Sequence, residues 1–316
     1  MAESVVVPAV FYRDPMAALH WLEKAFGFET TMLVTDDDGK VGHAETSFRG
    51  AAVGIGGEWS SPELLGPAAM KSPLSLGGAG TQFVRIHLTE GLDAHCERAR
   101  AAGARIVQAP EDQFYGARSY RALDPEGHVW NFDQPTAAVS IAQMEAASGL
   151  KIREKLQPAE EGPMAEFKRP SFASGVIYQD PKAALEWLEK AFGFEPVMVV
   201  INEDGTIGHS EMRFGDGLIY VGREWDENHK SPASLGGKTT QSLSVHLPSG
   251  LDEHCARARA AGAVIVREPI DQFYGDRNYM AVDPEGHIWS FSQTLKDMSF
   301  EEMKEAGGRM DIRERL

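Results

Sequence analysis

Apolar residues recur along the chain at the two periods that distinguish helices from strands. Asp14 and Pro15 suit an N-cap and a first helical position, and Leu19, Leu22 and Phe26 follow at helical spacing. Runs with β-strand character lie around this segment, and a second helix is predicted in LDAHCERARAAGA. The strand runs are VVVPAVFY, FETTMLVT, VGHAETSF, AAVGIG, FVRIHL, ARIVQAP, RSYRALD and HVWNFDQ. The first half of the chain is therefore predicted to contain two successive βαβββ units, and the predicted fold class is α+β.

The second half of the chain repeats the first. DPMAALHWLEKAFGFE at 14–29 recurs as DPKAALEWLEKAFGFE at 180–195, and DQFYGARSYRALDPEGHVW at 112–130 recurs as DQFYGDRNYMAVDPEGHIW at 271–289. The offset falls from 166 (14 to 180) to 159 (112 to 271), so copy 1 carries seven extra residues, in the loop near 62–70. We predict four βαβββ modules in two tandem domains, 1–157 and 164–316, joined by the polar segment QPAEEGP.

Strand alternation assigns side chains to the two faces of the predicted sheets. Apolar sets such as Val84, Ile86 and Leu88 are expected to face the helices. The opposite face receives mainly polar groups, in copy 1 His43, Glu45, Arg85, His87 and Asn131, and in copy 2 His209, Glu211, Ser244, His246 and Ser290. Such a face is expected to form the wall of a curved cleft, with one cleft in each copy.

Composition and charge narrow the class of protein. Hydrophobic residues make up 42% of the 316 residues, and no apolar run reaches the ~18–20 residues that a membrane span requires. Two cysteines are too few for a disulfide framework, and the N-terminal sequence lacks the pattern of a signal peptide, so we expect a cytoplasmic protein. The net charge of −16, without a basic patch, argues against nucleic-acid binding.

The chain resembles the vicinal-oxygen-chelate superfamily in its paired βαβββ units, its helix ending AFGFE, its HAE strand and its DPEGH turn. That superfamily includes glyoxalase I, bleomycin-resistance proteins, fosfomycin-resistance enzymes and extradiol dioxygenases. SLGG and QFYG extend the likeness to its PhnB-like branch, and the resemblance covers nearly the whole chain. Single-copy relatives usually dimerise. The resemblance therefore implies a monomer that builds such a dimer internally, with a homodimer of the whole chain as the alternative.

The resemblance also implies where a divalent metal would bind. Family enzymes typically hold it with His, Gln or Glu from the first, third, fifth and eighth strands. Those positions fall on Val7, Glu45, Arg85 and Asn131 in copy 1, and on Ala173, Glu211, Ser244 and Ser290 in copy 2. Only one good ligand remains in each copy, whereas such metals need three or four donors. We therefore predict that the usual metal site is absent and that no cofactor is bound.

The pair His43 and Glu45, repeated as His209 and Glu211, is the strongest candidate for chemistry. Residues two apart on a strand share a face, so both groups could act on one bound molecule. A glutamate in an apolar cleft would have a raised pKa and could serve as a general base. The structural alternative is a simple pairing of Glu45 with a cation on the cleft floor, Arg85 or His87. A rearranged divalent-metal site is the remaining alternative, with the donors His43, Glu45 and His87, and again His209, Glu211 and His246.

Further candidates lie at the expected rim of each cleft. Aromatic and arginine side chains there could cover an aromatic or anionic ligand, or could simply stack to close a loop. They are Tyr115, Arg118 and Tyr120, with Tyr274, Arg277 and Tyr279 in copy 2. Trp59 and Trp225 open a loop whose Pro, Gly and Ser content suits a lid. His128 and His287 are expected to bond backbone groups, and 139–156 is expected to form an amphipathic helix on the other copy.

Two classes of function follow. The first is a binding protein of the bleomycin-resistance kind, which sequesters an apolar or aromatic small molecule in each cleft without chemistry and without the usual metal. The second is an enzyme of the glyoxalase or dioxygenase kind, a lyase, isomerase or oxidoreductase that uses His43 and Glu45, with His209 and Glu211, as base or metal ligands. The sequence favours the first class, and the metal content of the purified protein would distinguish the two.

Overall fold

Each half of the chain folds as two βαβββ modules, as predicted, in a computed structural model that describes residues 6–153, 170–308 and 310–316. The linker predicted at 157–163 lies outside the described residues. Copy 1 contains β1 (Val6–Tyr12), α1 (Pro15–Phe26), β2 (Glu29–Thr35), β3 (Val41–Phe48), β4 (Ala51–Gly57), β5 (Trp59–Ser60), α2 (Pro62–Leu65), β6 (Ala69–Met70), β7 (Gln82–His87), α3 (Leu92–Ala101), β8 (Arg105–Gln113), β9 (Ala117–Leu123), β10 (Val129–Pro135), α4 (Ile141–Ser148) and β11 (Lys151–Arg153). Copy 2 contains β12 (Phe172–Tyr178), α5 (Pro181–Phe192), β13 (Glu195–Ile201), β14 (Ile207–Phe214), β15 (Gly217–Arg223), β16 (Lys238–Thr239), β17 (Gln241–His246), α6 (Leu251–Ala260), β18 (Val264–Asp271), β19 (Asp276–Val282), β20 (Ile288–Thr294), α7 (Phe300–Gly307) and β21 (Asp311–Arg313).

The first helix of each copy begins and ends where its sequence signals predict. The Asp14 carboxylate accepts a hydrogen bond from the backbone N–H of Ala17, which is one of the amides that a helix start leaves unpaired. Gly27 ends α1 in the left-handed conformation, with φ of 79°, where a residue with a side chain would be strained. Asp180 and Gly193 repeat both roles in α5. Among the described residues, no helix combines the length and the apolar character needed to cross a bilayer.

Most strands form two nine-stranded curved sheets, each of which draws on both copies, and β16, β6 and β5 form a separate three-stranded sheet. Sheet 1 has the order β18-β19-β20-β17-β1-β4-β3-β2-β21, and sheet 2 has the order β11-β13-β14-β15-β12-β7-β10-β9-β8. The first module of each copy is thus joined to the second module of the other copy. The copies are joined by two antiparallel strand pairs, β1 with β17 and β12 with β7, which we call the seams. Val7 lies opposite Ser244 in the first and Ala173 opposite Arg85 in the second. The prediction that each copy encloses its own cleft is therefore wrong.

The apolar cores, in contrast, are formed almost entirely within single copies. In copy 1, Leu22 and Phe26 of α1 pack with Ala44 from sheet 1 and with Val84 and Trp130 from sheet 2. The helices therefore lie between the two half-sheets of their own copy, and copy 2 has the equivalent core. The strand faces predicted to point toward the helices are buried in these cores, as expected. Truncation of one such leucine to alanine typically costs ~2–5 kcal/mol, so each copy has a substantial core of its own.

The C-terminal tail of each copy crosses to the other copy. A helix is predicted over 139–156, and within the described part, 139–153, the helix is α4, which begins at a capping box made by Ser140 and Gln143. The strand β11 follows and pairs with β13 of copy 2, and β21 pairs in the same way with β2 of copy 1. The predicted contact with the other copy is confirmed. It is formed by backbone hydrogen bonds, because each tail adds an edge strand to a sheet of the other copy.

Candidate functional site

The sheet faces directed away from the helices form two clefts, which we call cleft 1 on sheet 1 and cleft 2 on sheet 2. Cleft 1 combines Glu45 of copy 1 with residues of copy 2 such as Ser244, Ser290 and Tyr274. Burial raises the pKa of Tyr274, and the negative charges of Asp276 and Glu45 add to that shift, so Glu45 lies within electrostatic reach of the other copy. Cleft 2 reverses the arrangement and combines residues of β14 in copy 2 with those of β7 and β10 in copy 1.

The four positions at which family enzymes hold a metal lie on the same sheet face, but they come from both copies of the repeat. In cleft 1, Val7 lies opposite Ser244, which in turn lies beside Ser290. In cleft 2, Ala173 lies opposite Arg85, which lies beside Asn131. Each set adds one glutamate, Glu45 or Glu211. The residues do not fit a divalent metal, because cleft 1 offers only one strong donor and cleft 2 places a guanidinium among the donors.

The rearranged metal site is not formed either. His43 and Glu45 belong to sheet 1, whereas His87 belongs to sheet 2, and His246 is likewise separated from Glu211. The Nδ1 atom of His87 lies 2.6 Å from the Asp133 carboxylate instead. In the part of the chain that the structure describes, no three His, Cys, Asp or Glu side chains are grouped to hold a metal ion. The hypothesis of a rearranged metal site at His43, Glu45 and His87 is therefore wrong. The alternative that Glu45 pairs with Arg85 or His87 is wrong for the same reason, because both residues belong to sheet 2.

The His–Glu pair is formed in both clefts, in different surroundings. His43 Nε2 lies 3.3 Å from Glu45 Oε1, and His209 Nε2 lies 3.2 Å from Glu211 Oε1. The Glu45 side chain is 44% exposed and the Glu211 side chain only 4%. The hydrogen bond with His43 lowers the pKa of Glu45 and outweighs the opposing effect of burial. The prediction of a raised pKa at Glu45 is therefore wrong, and the group is a carboxylate at neutral pH.

Large side chains fill the floor of cleft 2. Tyr220 lies opposite Glu211 on the neighbouring strand, and its ring stacks on Phe83 at a centroid distance of 6.1 Å. The Arg85 guanidinium lies 5.4 Å from the ring centroids of both Tyr115 and Tyr220. Cation–π contacts of this kind stabilise a cation that has lost part of its hydration. Aromatic rings and one arginine thus occupy the centre of cleft 2.

Small residues stand at the corresponding positions of cleft 1. Gly54, not a tyrosine, lies opposite Glu45, and Ala9 lies beside Gly54 on β1. Serines replace the other large groups, with Ser242 in place of Phe83 and Ser244 in place of Arg85. The Glu45 carboxylate is also much more exposed than that of Glu211. The floor of cleft 1 is therefore built of small residues where the floor of cleft 2 is built of large ones.

A loop from copy 1 lies over one end of cleft 1. Leu65 and Met70, from the segment with the seven extra residues, pack against Phe11 and Ile288 on the cleft face of sheet 1. Trp59, which is 40% exposed, pairs with Met70 in a short ladder at the same place. In copy 2 the shorter loop places Trp225 against Phe83 and, at 3.9 Å between ring centroids, against His229. Each cleft therefore has a different cover.

Some rim candidates lie elsewhere. Tyr120 and Tyr279 belong to the apolar cores, where their hydroxyls lie 2.6 Å from Nδ1 of His95 and His254. Arg118 and Arg277 form ion pairs with Asp93 and Asp252 at the start of α3 and α6. Placing these four residues at the cleft rim was wrong, because even-numbered positions of β9 and odd-numbered positions of β19 face the helices. In contrast, Tyr115 does contact Arg85, with its hydroxyl 3.2 Å from Nη2.

The structural role predicted for the histidines after the DPEG turn is confirmed. His128 Nε2 lies 2.9 Å from the carbonyl oxygen of Phe11, and His287 Nε2 lies 2.8 Å from that of Ile177. Sequence reasoning missed other cleft residues, above all Arg121, Tyr220 and Arg267. The alternation of β9, in which Ala122 is apolar, could have assigned Arg121 to the cleft face. The importance of Tyr220 had no comparable signal, because its counterpart is a glycine.

Comparison with known proteins agrees with this architecture. The family described as the Glyoxalase/Bleomycin resistance protein/Dioxygenase superfamily matches residues 4–132 and 171–291, and the chain belongs to it. Uncharacterized proteins of Mycobacterium bovis and Mycobacterium tuberculosis are 36% identical over 146 residues, which are 46% of this chain and 92% and 82% of those proteins. Membership of the PhnB-like branch stays a prediction.

Solved structures with the same fold span almost the whole chain. Glyoxalase I from Zea mays superposes with a TM-score of 0.61 at 12% identity and covers 97% of this chain and 96% of its own. A putative dioxygenase from Bacillus subtilis superposes with a TM-score of 0.58 at 11% identity and covers 97% of this chain and 90% of its own. At this level of identity the likeness concerns the fold alone.

Proposed function

We propose that this protein binds a small molecule with an apolar or aromatic body in cleft 1, without the usual metal of its superfamily. The observation that carries the proposal is the floor of cleft 1, where the small residues Gly54, Ser242 and Ser244 stand in place of Tyr220, Phe83 and Arg85. A concave sheet face with small residues at its centre and larger ones around it is the usual form of a ligand pocket. Sequestration, as in the bleomycin-resistance kind of protein, needs only such a pocket.

The two ends of cleft 1 differ in polarity. At one end, the partly buried Met280 and Val266 pack against the buried cluster of Phe11 and Met70, which gives an apolar wall for a hydrocarbon or ring. Methionine side chains adapt well to ligands of irregular shape. Toward the other end, serine hydroxyls and the Glu45 carboxylate offer hydrogen-bonding groups. This division favours a ligand with an apolar body and at least one polar substituent.

Two groups in cleft 1 could fix the orientation of such a ligand. The Nε atom of Arg267 is buried and has no hydrogen-bond partner among the described residues. A buried donor without a partner is unfavourable by ~1–3 kcal/mol, which a ligand acceptor would recover. Glu45, ionised at neutral pH, would accept a hydrogen bond from a ligand donor. A lowered pKa makes Glu45 a weak general base, so binding is favoured over proton abstraction.

The proposal is tested by filling cleft 1 and measuring the binding of a fluorescent probe, 8-anilinonaphthalene-1-sulfonate, which has an aromatic body and an anionic group. Ser244→Arg introduces the residue that fills cleft 2, and we expect it to weaken probe binding at least tenfold, ~1.4 kcal/mol. Ala94→Arg adds the same charge on the exposed face of α3 and should leave binding unchanged. Equal probe affinity in Ser244→Arg and the unmodified protein would refute the proposal.

Metal analysis of the same preparations separates binding from metal-dependent chemistry. We expect far less than one equivalent of Zn, Ni, Fe or Mn per chain after mild purification. A stoichiometric metal that is lost in the double variant Glu45→Gln, Glu211→Gln would overturn the metal-free part of the proposal. It would favour an enzyme of the glyoxalase kind instead.

A further inference from the structure

Cleft 2 keeps a small internal space beside its filled floor. A cavity of about 120 Å³ is lined by residues of β7, β8, β9 and β10, the strands of the second module of copy 1. At about 30 Å³ for each water in the liquid, it has room for only a few small molecules or one small ion. Its walls are mostly polar and include Arg85, Gln108, Gln113, Tyr115, Arg121, Asn131 and the carboxylate of Asp133.

Two guanidinium groups line this cavity, and only one of them has a carboxylate partner. Arg85 Nη2 donates to Asp133 at 2.8 Å, and Asp133 is at the same time 2.6 Å from His87. Arg121 Nε donates to the neutral amide oxygen of Asn131 at 2.8 Å. Among the described residues Arg121 forms no ion pair. The wall of the cavity therefore carries two guanidinium groups and one carboxylate, that of Asp133, which leaves an excess of positive charge.

The surroundings make that charge unfavourable without an anion. Burial lowers the pKa of Arg121, and the neighbouring Arg85 lowers it further, although Tyr115 and the more distant Asp226 act in the opposite direction. A partly buried cation without a counter-ion is costly, and pairing with a hydrogen-bonded anion reverses that cost. The planar guanidinium fork matches the oxygen pair of a carboxylate or a similar oxyanion.

We propose that cleft 2 binds a small oxyanion, of the size of acetate, nitrate or phosphate, between Arg121 and Arg85. The amide groups of Gln108 and Gln113 and the hydroxyl of Tyr115 line the same cavity and supply neutral hydrogen-bonding groups around the anion. The filled floor limits the ligand to this size. The site is separate from cleft 1 and does not depend on the ligand proposed there.

The duplication provides the comparison that makes this inference specific. The residue that corresponds to Arg121 in cleft 1 is Met280, and Ser244 stands in place of Arg85. Cleft 1 therefore lacks the pair of cations on these two strands. The anion site should be confined to cleft 2, and exchange of one residue for its counterpart should abolish it.

The test is a calorimetric titration of the full chain with acetate, nitrate or phosphate in a buffer without other oxyanions. We expect one saturable site per chain for at least one of the three anions, weakened at least tenfold in Arg121→Met. Met280→Leu, a change of similar volume in cleft 1, should bind as the unmodified protein does. Arg121→Lys, which keeps the charge but not the planar guanidinium group, should bind with intermediate affinity. It replaces Arg121→Met in the test if that variant does not fold.

Several outcomes would overturn the inference. They are the absence of saturable binding of all three anions, unchanged affinity in Arg121→Met, or equal weakening in Met280→Leu. Binding of 8-anilinonaphthalene-1-sulfonate to cleft 1 should be unaffected by Arg121→Met. Failure of the anion site is therefore distinguishable from failure of the function proposed for cleft 1.

Discussion

The two clefts are built from the same repeated sequence on the same strand scaffold, yet their floors differ. Cleft 2 holds Tyr220, Phe83 and Arg85 where cleft 1 holds Gly54, Ser242 and Ser244. The His–Glu pair is present in both, but its glutamate is exposed in cleft 1 and buried in cleft 2. The scaffold thus sets the direction of the side chains, whereas a few residues on the floor set the size and charge of the groups that a ligand would meet.

The apolar cores show the opposite behaviour. Phe26, Trp130 and Phe132 of copy 1 recur as Phe192, Trp289 and Phe291, with nearly the same ring distances and angles. Core positions must fill a fixed volume at high density, so one set of shapes serves both copies. Cleft positions lie outside these cores, so the residues there can differ between the copies while the core packing stays the same.

The largest expected effect comes from Asp133→Ala in cleft 2. Arg85 is 16% exposed, and removal of its carboxylate leaves a buried cation without its ion-pair partner, which typically costs ~3–5 kcal/mol. Ser292→Ala, the equivalent change in cleft 1, should cost less than ~1 kcal/mol. The Ser292 hydroxyl is uncharged, and its hydrogen bond with Nδ1 of His246 is long, at 3.4 Å. Urea unfolding of both variants measures the contrast, and equal losses would mean that Arg85 does not depend on Asp133.

A second expected effect concerns the packing of the cleft 2 floor. A Cβ atom at Gly175 would overlap the Phe83 ring, whereas the counterpart of Gly175 in cleft 1 is already an alanine, Ala9. We expect Gly175→Ala to lower the free energy of unfolding by ~1–3 kcal/mol, as overpacking usually does.

The ring itself can be removed to check this cause. Phe83→Ser introduces the residue found in cleft 1, and the double variant should lose less stability than the sum of the two single changes. Strict additivity in urea unfolding would show that the two side chains do not compete for the same space.

The pH dependence should reflect the feature that the copies share. Burial lowers the pKa of His95 and of His254 to about 4. Because these folded-state values lie below the unfolded value of ~6.5, the stabilisation is complete above pH ~6.5 and is lost as the pH falls toward 4. We expect a loss of at most ~3 kcal/mol per histidine over that range. An NMR titration in which both imidazoles instead protonate near pH 6.5 would contradict it.

The smallest expected effect is that of Glu45→Gln in cleft 1. The lowered pKa of Glu45 means that its pairing with His43 is present above the unfolded carboxyl value and is lost as the pH falls through the folded one. Since both side chains are about half exposed, we expect a loss of less than ~1 kcal/mol at pH 7, measured by urea unfolding. A loss of several kcal/mol would show that the pair is much less accessible than its exposure indicates.

Much of the fold could be predicted from local patterns. The period of apolar residues identified the modules, and alternation assigned Val84 to the core and Arg85 to the cleft face, as the structure has them. The rim position predicted for Tyr120 rests on the glycine-containing segment before β9 and is wrong, whereas alternation with Ala122 would have assigned Tyr120 to the core. The pKa of Glu45 could not be predicted, since it depends on the hydrogen bond with His43.

The sequence by itself determined the duplicated architecture, the order of strands and helices and the side-chain direction on most strands, because these depend on the spacing of neighbouring residues. Only the tertiary structure decided which residues share a cleft. Backbone hydrogen bonding at the seams, β1 with β17 and β12 with β7, joins each module to the other copy, and such pairing leaves no periodic mark on the sequence. The contents of each cleft, including the pairing of Arg85 with Asp133 and the cation at Arg121, follow from that long-range choice.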